Sequence, residues 1–223
     1  IYLVGWPIAA ILRQPKWSEL FGQFSSGLMS FKFGEDSGTL PRKVTELGTG
    51  HIPEDRQKDG LVLSYPVADN LVLNTYYISP FATAMMTQAK PVEENAIDLI
   101  ENFDIRTPSH ITHAGALSGG NQQKVIVARE FSRPTKLMVA SQPTRGLDVG
   151  SIEYIHKRLI EKRDEGCAVL LVSTELDEIL QLSDRIAVMF DGKINAIVDS
   201  KEATKEKIGL LMAGVSPAEV LGA

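Results

Sequence analysis

The sequence lacks the features that mark secreted, membrane-spanning and nucleic-acid-binding proteins. Its 223 residues include a single cysteine, Cys167, so the chain cannot build a disulfide framework, which fits a reducing cytoplasm. No apolar run approaches the length of a membrane span. The apolar residues 1–12 are few, begin without basic residues and contain Pro7, unlike a signal peptide. The formal charge of −5 comes without a long basic run, which argues against nucleic acid as a partner.

What is present is the length and composition of one sizeable globular domain, with room for a subdomain. From Lys136 onward, short apolar runs alternate with amphipathic segments that end at turn residues. This pattern predicts strands over 137–140, 168–172, 186–190 and 193–199, and helices over 149–165, 176–182 and 201–212. Cys167 is then better explained as a buried strand residue than as a nucleophile. Strands that alternate with helices indicate an α/β fold with a mainly parallel sheet.

Residues 66–116 interrupt this alternation. They contain turn signals at Ser79-Pro80 and Pro91 and a predicted helix over 92–103, and no strong strand follows. This pattern predicts a helical subdomain inserted in the α/β frame. In the first forty residues the aromatic side chains have no helical or strand periodicity, so no capped helix is predicted there.

The most informative segment is the octapeptide Leu-Ser-Gly-Gly-Asn-Gln-Gln-Lys at 117–124, directly ahead of a helix predicted over 122–133. A helix start has free backbone N–H groups and the positive end of the helix dipole. The glycines keep side chains away from an incoming anion, and Ser118 adds a hydroxyl group. The segment therefore indicates phosphate capture at a helix N-terminus. The alternative is an ordinary helix capped by Ser118, and the octapeptide alone does not separate the two.

The order of the other motifs makes the pattern specific. Gly-His-Ile-Pro-Glu-Asp-Arg (50–56) precedes the octapeptide, and Gln-Pro-Thr-Arg-Gly-Leu-Asp-Val-Gly (142–150) and Val-Ser-Thr-Glu-Leu-Asp-Glu-Ile (172–179) follow it after successive strands. Over about residues 40–215 the chain resembles the nucleotide-binding domain of ATP-binding cassette (ABC) transporters. More narrowly, it resembles the second, C-terminal cassette of the tandem ATPase subunits that drive import of simple sugars and nucleosides. The resemblance implies a P-loop NTPase fold.

The resemblance also implies a role for each motif. The nucleotide-binding residues of the signature would be Ser118, Gly119, Gly120, Asn121 and Gln122. They would reach across a dimer interface to the γ-phosphate of ATP held by a partner cassette. The Walker B strand, 137–140, would normally end in an aspartate that orders the Mg²⁺ shell and a glutamate that activates water. Ser141 and Gln142 stand there instead, and neither supplies a carboxylate.

Three further positions follow from the resemblance. Thr174 occupies the place of the switch histidine, Glu54 occupies the place of the Q-loop glutamine, and Asp148 of the D-loop is retained. The candidate catalytic positions are thus Gln142, which is predicted to be inactive, together with Thr174 and Asp148. Ser141 and Glu54 are the candidate metal positions. The cassette's own site is predicted to lack its chemical machinery.

The phosphate-binding Walker A loop, Gly-x-x-x-x-Gly-Lys-Ser/Thr, is not recognisable. Gly22 and Gly27 have its glycine spacing, but Leu28 and Met29 follow them and the pair lies too near Glu54. We interpret this match as chance, because the family would place the loop near residues 5–12. Our hypothesis is that residues 1–38 are out of register with the family through truncation, divergence or a reading-frame error in the gene.

The resemblance divides the chain into four parts. They are an irregular N-terminal segment, a Q-loop region of the α/β core, a helical subdomain with the signature helix, and an α/β core with Walker B, D-loop, switch region and a C-terminal hairpin and helix. Their predicted bounds are 1–38, 39–65, 66–135 and 136–223. The apolar stretch 61–77 is either subdomain core or part of a groove in which a permease coupling helix docks.

The implied function is that of an importer's ATP-binding cassette, located peripherally at the cytoplasmic face of the cell membrane. Its cofactors would be ATP and Mg²⁺, held mainly by the partner cassette. Its partners would be a second cassette, expected to be the N-terminal cassette of the same polypeptide, transmembrane permease subunits and, indirectly, a periplasmic or lipid-anchored substrate-binding protein. The glutamine of Gln-Pro-Thr-Arg-Gly favours nucleosides over sugars. Two other functions stay open: a self-sufficient ATPase, and a non-enzymatic regulatory module or inactive remnant of a cassette.

Overall fold

The computed structural model describes the main chain of residues 8–12 and, with side chains, residues 41–84 and 86–222. The chain forms two compact units. The first comprises residues 1–49, 136–142 and 159–223, as far as they are described, and the second comprises Gly50–Thr135 and Pro143–Arg158. The Gly22/Gly27 pair and most of the irregular segment predicted over 1–38 lie outside the described residues.

The elements alternate between strands and helices in the second half of the chain. The strands are β1 (Ile8–Leu12), β2 (Thr49–Ile52), β3 (Ala82–Thr83), β4 (Met86–Thr87), β5 (Leu137–Ser141), β6 (Ala168–Val172), β7 (Arg185–Phe190) and β8 (Lys193–Asp199). The α-helices are α1 (Pro41–Glu46), α2 (Val67–Leu71), α3 (Ala89–Asn102), α4 (Gly119–Phe131), α5 (Val149–Asp164), α6 (Leu176–Leu182), α7 (Lys205–Met212) and α8 (Pro217–Leu221). A π-helical turn covers Arg56–Gly60 and a 3₁₀ turn covers Ala114–Ala116. Among these described helices, none has the length and apolarity needed to cross a bilayer.

The main sheet has the strand order β2-β5-β6-β1-β7-β8. β5 and β6 pair in parallel, β1 pairs antiparallel with both β6 and β7, and β7 and β8 form an antiparallel hairpin. β5, β6 and β7 therefore run in one direction, and most of their residues are buried, as in strands covered on both faces. The predicted α/β fold is confirmed.

Most bounds predicted from the apolar runs agree with the structure. β6, α6 and β8 have the predicted limits, and β5 and β7 each extend by one residue. Gly166 lies just past α5 with φ of +101°, which is the left-handed conformation that glycine adopts after a helix. The predicted start of the last long helix at residue 201 is wrong. α7 begins at Lys205 because the Thr204 hydroxyl accepts a hydrogen bond from the Lys207 amide at 3.3 Å and caps the helix there.

β1 is a strand that the sequence pattern does not predict. It lies in the middle of the sheet, where Ala9 pairs with Val172 and Leu12 with Val169. Since β6 runs from Ala168 to Val172, the carboxyl end of β1 lies at the sheet edge opposite to the one where β5 and β6 end. A phosphate loop follows the carboxyl end of its strand, so β1 does not present that end at the edge beside Ser141.

The second unit contains the helical part of the chain. α2 packs against α3 and α4, and α3 begins three residues before the helix predicted over 92–103. In the stretch 61–77, Val67, Leu71 and Val72 are buried, whereas Tyr65 and Tyr76 are nearly half exposed. The stretch is thus core where it forms α2 and surface at Tyr65 and Tyr76. Buried apolar residues of α3 and α4 complete the core: Val92, Ala96, Leu99, Val125, Ile126 and Val127.

Candidate functional site

The signature octapeptide forms the first turn of α4 in the second unit. α4 begins at Gly119 and not at Gln122, because Ser118 is extended (φ −63°, ψ +157°) and its hydroxyl accepts a hydrogen bond from the Asn121 amide at 3.5 Å. Ser118 is therefore the N-cap. The amides of Gly119 and Gly120 lie in the first turn, where a helix offers no internal acceptors. The Ser118 side chain is exposed, so the turn has the donors that a phosphate needs.

A side chain on either signature glycine would also meet a neighbouring side chain within the unit. A Cβ on Gly119 would lie 2.8 Å from Nη2 of Arg56, and a Cβ on Gly120 would lie 2.5 Å from Oγ of Ser151. Both distances are shorter than a carbon atom tolerates. The glycines therefore do more than clear a path for an anion, since a guanidinium and a hydroxyl group occupy the adjacent space.

The polar side chains that follow the glycines make hydrogen bonds within the unit. Asn121 donates to Ser118 Oγ at 3.0 Å and accepts from the Arg106 amide at 2.8 Å. Gln122 is buried, donates to the Ala114 carbonyl at 3.1 Å and accepts from Gln57 Nε2 at 3.0 Å. The side chains of Asn121 and Gln122, two of the five predicted nucleotide-binding residues, thus hold the start of α4 in place. The first-turn amides and the exposed Ser118 hydroxyl remain available to a ligand.

Asp148, the retained D-loop residue, caps α5. Its carboxylate accepts hydrogen bonds from the Ser151 amide at 3.0 Å and from the Ser151 hydroxyl at 2.8 Å. The hydroxyl bond first, and the amide bond second, hold the pKa of Asp148 below its usual range. Asp148 is consequently ionised at neutral pH at a helix start, where a negative charge is favourable.

Glu54, a candidate metal position, forms an ion pair. Its carboxylate lies 2.5 Å from Nη1 of Arg145, in the Gln-Pro-Thr-Arg-Gly loop of the same unit. No group of three or more His, Cys, Asp or Glu side chains suited to a metal ion occurs in the described ranges 41–84 and 86–222. The Glu54 carboxylate is thus engaged by Arg145 in this structure, and its role as a metal position stays a prediction.

The Walker B and switch positions meet in the first unit. The Gln142 amide hydrogen-bonds the Val172 carbonyl at 2.7 Å, and its side-chain Nε2 donates to Thr174 Oγ1 at 3.2 Å. Gln142 is 4% exposed and has φ of +48°, a conformation uncommon for a residue other than glycine. Ser141 ends β5 beside Val172. The cluster is neutral: it has no carboxylate for Mg²⁺ and no base that could take a proton from water.

Sequence reasoning did not identify three residues that hold the signature. Gln123 Nε2 donates to the Pro143 carbonyl at 2.8 Å, Gln57 bonds Gln122, and Arg56 contacts Gly119. Arg56 and Gln57 follow the Pro-Glu-Asp run closely, but nothing local indicates that their partners lie more than sixty positions away. Only Gln123, inside the octapeptide, carried a signal.

Comparison with known proteins places these clusters in a family context. No protein-family model matches the chain. The chain is 51% identical over 194 residues to the guanosine import ATP-binding protein NupO of Bacillus subtilis, and 55% identical over 189 residues to the nucleoside import ATP-binding protein NupA of Lactococcus lactis. These matches cover 87% and 85% of this chain but 38% and 37% of the relatives. The ribose import ATP-binding protein RbsA of B. subtilis is 38% identical over 174 residues, which cover 78% of this chain and 35% of RbsA. The chain thus spans a little over a third of the length of these relatives.

Solved structures agree on the fold. The ATP-binding cassette MJ0796, solved as a dimer in a post-hydrolysis state with ADP and Pi, has a TM-score of 0.62 over 82% of each chain at 18% identity. The cassette MJ1267 in its ADP conformation has a TM-score of 0.57 over 84% of this chain and 73% of that one at 21% identity. The predicted P-loop NTPase fold is therefore confirmed. The chain belongs to the ATP-binding cassette family, as a relative of the ATP-binding proteins of nucleoside and sugar importers.

Proposed function

We propose that the chain is a cassette that couples ATP to nucleoside import. The observation that carries this proposal is the identity of 51% and 55% to relatives named for guanosine and nucleoside import, against 38% to one named for ribose import. In this proposal the activity belongs to a larger assembly, of which the chain is one cassette. The cargo is accordingly a nucleoside in preference to a simple sugar.

In this proposal the chain supplies half of a composite ATP site. Ser118 and the amides of Gly119 and Gly120 would contact the γ-phosphate of ATP bound by a partner cassette. The support is the geometry of the first turn of α4, where an exposed hydroxyl and amides without internal acceptors coincide with the positive end of the helix dipole. ATP supplies the reacting phosphate when bound, and this chain orients it.

The chain's own hydrolytic site is silent in this proposal. Gln142 and Thr174 stand where the family has a glutamate and a histidine, and they hydrogen-bond each other as neutral groups. An amide can orient a water molecule but does not accept its proton. The direction of β1 adds support, because its carboxyl end lies away from the edge that holds Gln142. ATP and Mg²⁺ would therefore be held mainly by the partner.

The partner cassette is proposed to be the N-terminal cassette of the same polypeptide, with this chain as the second cassette. Transmembrane permease subunits would carry the nucleoside, and a periplasmic or lipid-anchored binding protein would deliver it to them. This arrangement puts the chain at the cytoplasmic face of the cell membrane as a peripheral subunit. A self-sufficient ATPase and a non-enzymatic remnant are the alternatives, and no contact in the described residues favours either.

The test is Ser118→Ala in the assembled importer, measured as ATP hydrolysis and uptake of radiolabelled guanosine. We expect both rates to fall roughly tenfold or more, because the γ-phosphate loses a donor used in the transition state. The matched control is Ser216→Ala, because Ser216 caps α8 through the Glu219 amide at 3.4 Å. Both variants lose a helix cap worth about 1 kcal/mol, and only the Ser118 variant should lose activity.

Full hydrolysis and uptake by the Ser118 variant would contradict the composite site. ATP turnover by the isolated chain would instead support the self-sufficient ATPase. An importer that hydrolyses ATP but carries ribose and not guanosine would correct the cargo alone.

A further inference from the structure

Residues 54–57 hold the first turn of α4 against the loop that follows residue 142, entirely within the second unit. Three side chains of this segment reach one or both of these elements: Glu54, Arg56 and Gln57. The family resemblance assigned Glu54 to the Q-loop, and Arg56 and Gln57 had no assigned role. We call Glu54, Arg56, Gln57 and Arg145 the signature clamp.

Arg56 makes the central contacts of the clamp. Its Nη1 donates to the Arg145 carbonyl at 2.9 Å, and its Nη2 lies 2.8 Å from the position that a Cβ on Gly119 would take. Its Nε is shielded from solvent and has no acceptor among the described residues. The two arms of one planar guanidinium thus lie against two different elements. A lysine, with a single ammonium group on a flexible stem, does not reproduce this fork.

The other members of the clamp contact the same two elements. Gln57 Nε2 donates to Gln122 Oε1 at 3.0 Å, and Glu54 pairs with Arg145. Gln123 Nε2, also in α4, donates to the Pro143 carbonyl at 2.8 Å. Sequence-distant segments therefore fix the register of the first turn of α4 against residues 143–145.

Stability alone does not account for this arrangement. The side chains of Arg145 and Glu54 are 63% and 39% exposed, and such surface pairs contribute little to folding. Arg56 is a cation beside the positive end of a helix dipole, where a negative charge is normally preferred. No carboxylate pairs with Arg56 in the part of the chain that the structure describes. The fork of the guanidinium, and not a salt bridge, is therefore what joins Arg56 to these two elements.

We infer that Arg56 is a positioning residue: its guanidinium fork sets the orientation of the Gly119 and Gly120 amides relative to the loop that carries Asp148. The catalytic consequence rests on the proposed function, because the signature acts on ATP only in a composite site. The structural consequence does not, because the clamp lies wholly within this chain. Two measurements therefore test the inference separately.

The first measurement is amide hydrogen exchange on the full chain. Asn121 and Gln122 are the reporters, because their amides bond Ser118 Oγ and the Ser118 carbonyl at 3.5 and 2.9 Å. We expect Arg56→Lys and Arg56→Gln each to raise exchange at these two amides by about tenfold. Lys58→Gln is the matched control, since Lys58 is an exposed cation two residues away, and it should leave both amides unchanged.

The second measurement is the ATP dependence of hydrolysis by the assembled importer. We expect Arg56→Lys and Arg56→Gln to lower kcat roughly tenfold or more, because a small displacement of an orienting group has a large cost. The KM for ATP should change less than kcat, because the partner holds the nucleotide. Gly119→Ala disturbs the same contact between Arg56 and α4 without changing Arg56, since the new Cβ would displace the guanidinium. This variant should show the same loss of kcat.

The two measurements have outcomes that would overturn the inference about Arg56. Wild-type exchange at Asn121 and Gln122 in Arg56→Lys overturns the inference, and so does an equal effect of Lys58→Gln. Raised exchange with unchanged kcat in an active importer overturns the catalytic consequence, because a merely structural role predicts that outcome. An importer that is inactive with the wild-type chain refutes the proposed function, while hydrogen exchange still decides whether Arg56 positions the helix.

Discussion

The first turn of the signature helix and the end of strand β5 carry two motifs of the ATP-binding cassette family. Their polar side chains differ in what they hydrogen-bond. At the signature, Asn121 and Gln122 are bonded to neighbouring segments, which leaves an exposed hydroxyl and first-turn amides for a ligand. At the end of β5, Gln142 and Thr174 are bonded to each other. In the proposed function the first region therefore orients a phosphate, whereas the second keeps hydrogen bonding without charge. A binding surface can survive on backbone geometry, but proton transfer needs particular side chains.

The largest expected effect concerns the buried charges at the C-terminal end of the signature helix. Glu130, 1% exposed, accepts from Arg129 Nε at 3.0 Å, Arg133 Nη2 at 2.8 Å, Asn74 Nδ2 at 2.6 Å and the His51 amide at 3.3 Å. We expect Glu130→Ala to lower the free energy of unfolding by about 3–5 kcal/mol, because it removes the carboxylate from buried cations. Urea unfolding followed by circular dichroism measures this loss.

Glu94→Ala is the matched control for that network. Its carboxylate pairs with Lys90 while both side chains are largely exposed, so its loss should cost no more than about 0.5 kcal/mol. Equal losses in the two variants would mean that the signature helix does not depend on buried charge, and the contrast with the neutral end of β5 would disappear.

The next largest effect is expected when a charge is introduced at the neutral end of β5. Gln142→Glu puts a carboxylate on a residue that is 4% exposed, and burial raises a carboxyl pKa. A raised folded-state pKa means a penalty that is absent at pH values below the unfolded-state pKa and grows as the pH rises above it. We expect a loss of about 2–4 kcal/mol at pH 8 and little at pH 4, measured by urea unfolding at both values.

The exposed Gln181→Glu, in α6 of the same unit, should show no such pH dependence. We also expect no ATP turnover by the isolated Gln142→Glu chain, since a carboxylate alone does not hold the phosphates. Turnover by this variant would contradict the expectation that this site does not hold the phosphates, and a stability that does not depend on pH would mean that the position tolerates charge.

Replacing each of the two helical glycines Gly120 and Gly209 by alanine distinguishes the effect of side-chain packing on stability from that of helix propensity. A Cβ on Gly120 would lie 2.5 Å from Ser151 Oγ, whereas a Cβ on Gly209 would meet nothing within 4 Å. We expect Gly120→Ala to cost about 1–3 kcal/mol through crowding and Gly209→Ala to gain about 0.5–1 kcal/mol through helix propensity. Thermal unfolding of both variants is the measurement. A gain at Gly120 would show that Ser151 moves aside freely and that the glycine is needed only for a ligand.

The smallest effect is the charge of Asp148. Its pKa is lowered chiefly by the Ser151 hydroxyl and then by the Ser151 amide, so its charge stabilises the fold above its usual pKa of about 4 and stops doing so as the pH falls through the lowered value. Asp148→Asn keeps a good N-cap and removes the charge. We expect a slightly lower melting temperature than wild type at pH 7 and no difference near pH 2. The same difference at both pH values would assign the effect to the cap and not to the charge.

The parts of the fold that could be predicted are those set by local sequence. β6 and α6 have their predicted limits because an apolar run and an amphipathic segment are each bounded by polar turn residues. The start of α4 was misplaced by three residues because glycines weaken helix propensity. The Ser118 cap and the packing of Gly119 and Gly120 compensate for it. β1 was missed because a five-residue apolar run has no periodicity that separates a strand from other structures.

The sequence alone determined the family, through the order of its motifs, and the neutrality of the β5 end, because no fold can give Ser141, Gln142 or Thr174 a carboxylate or an imidazole. Only the tertiary structure decided how these groups are used. It paired Gln142 with Thr174 across 32 positions and set Arg56 against the Arg145 carbonyl across 89. It also turned β1 antiparallel to its neighbours. The physical reason is that side-chain chemistry belongs to each residue, whereas a hydrogen bond depends on the distance and direction that the register of strands and the packing of helices impose.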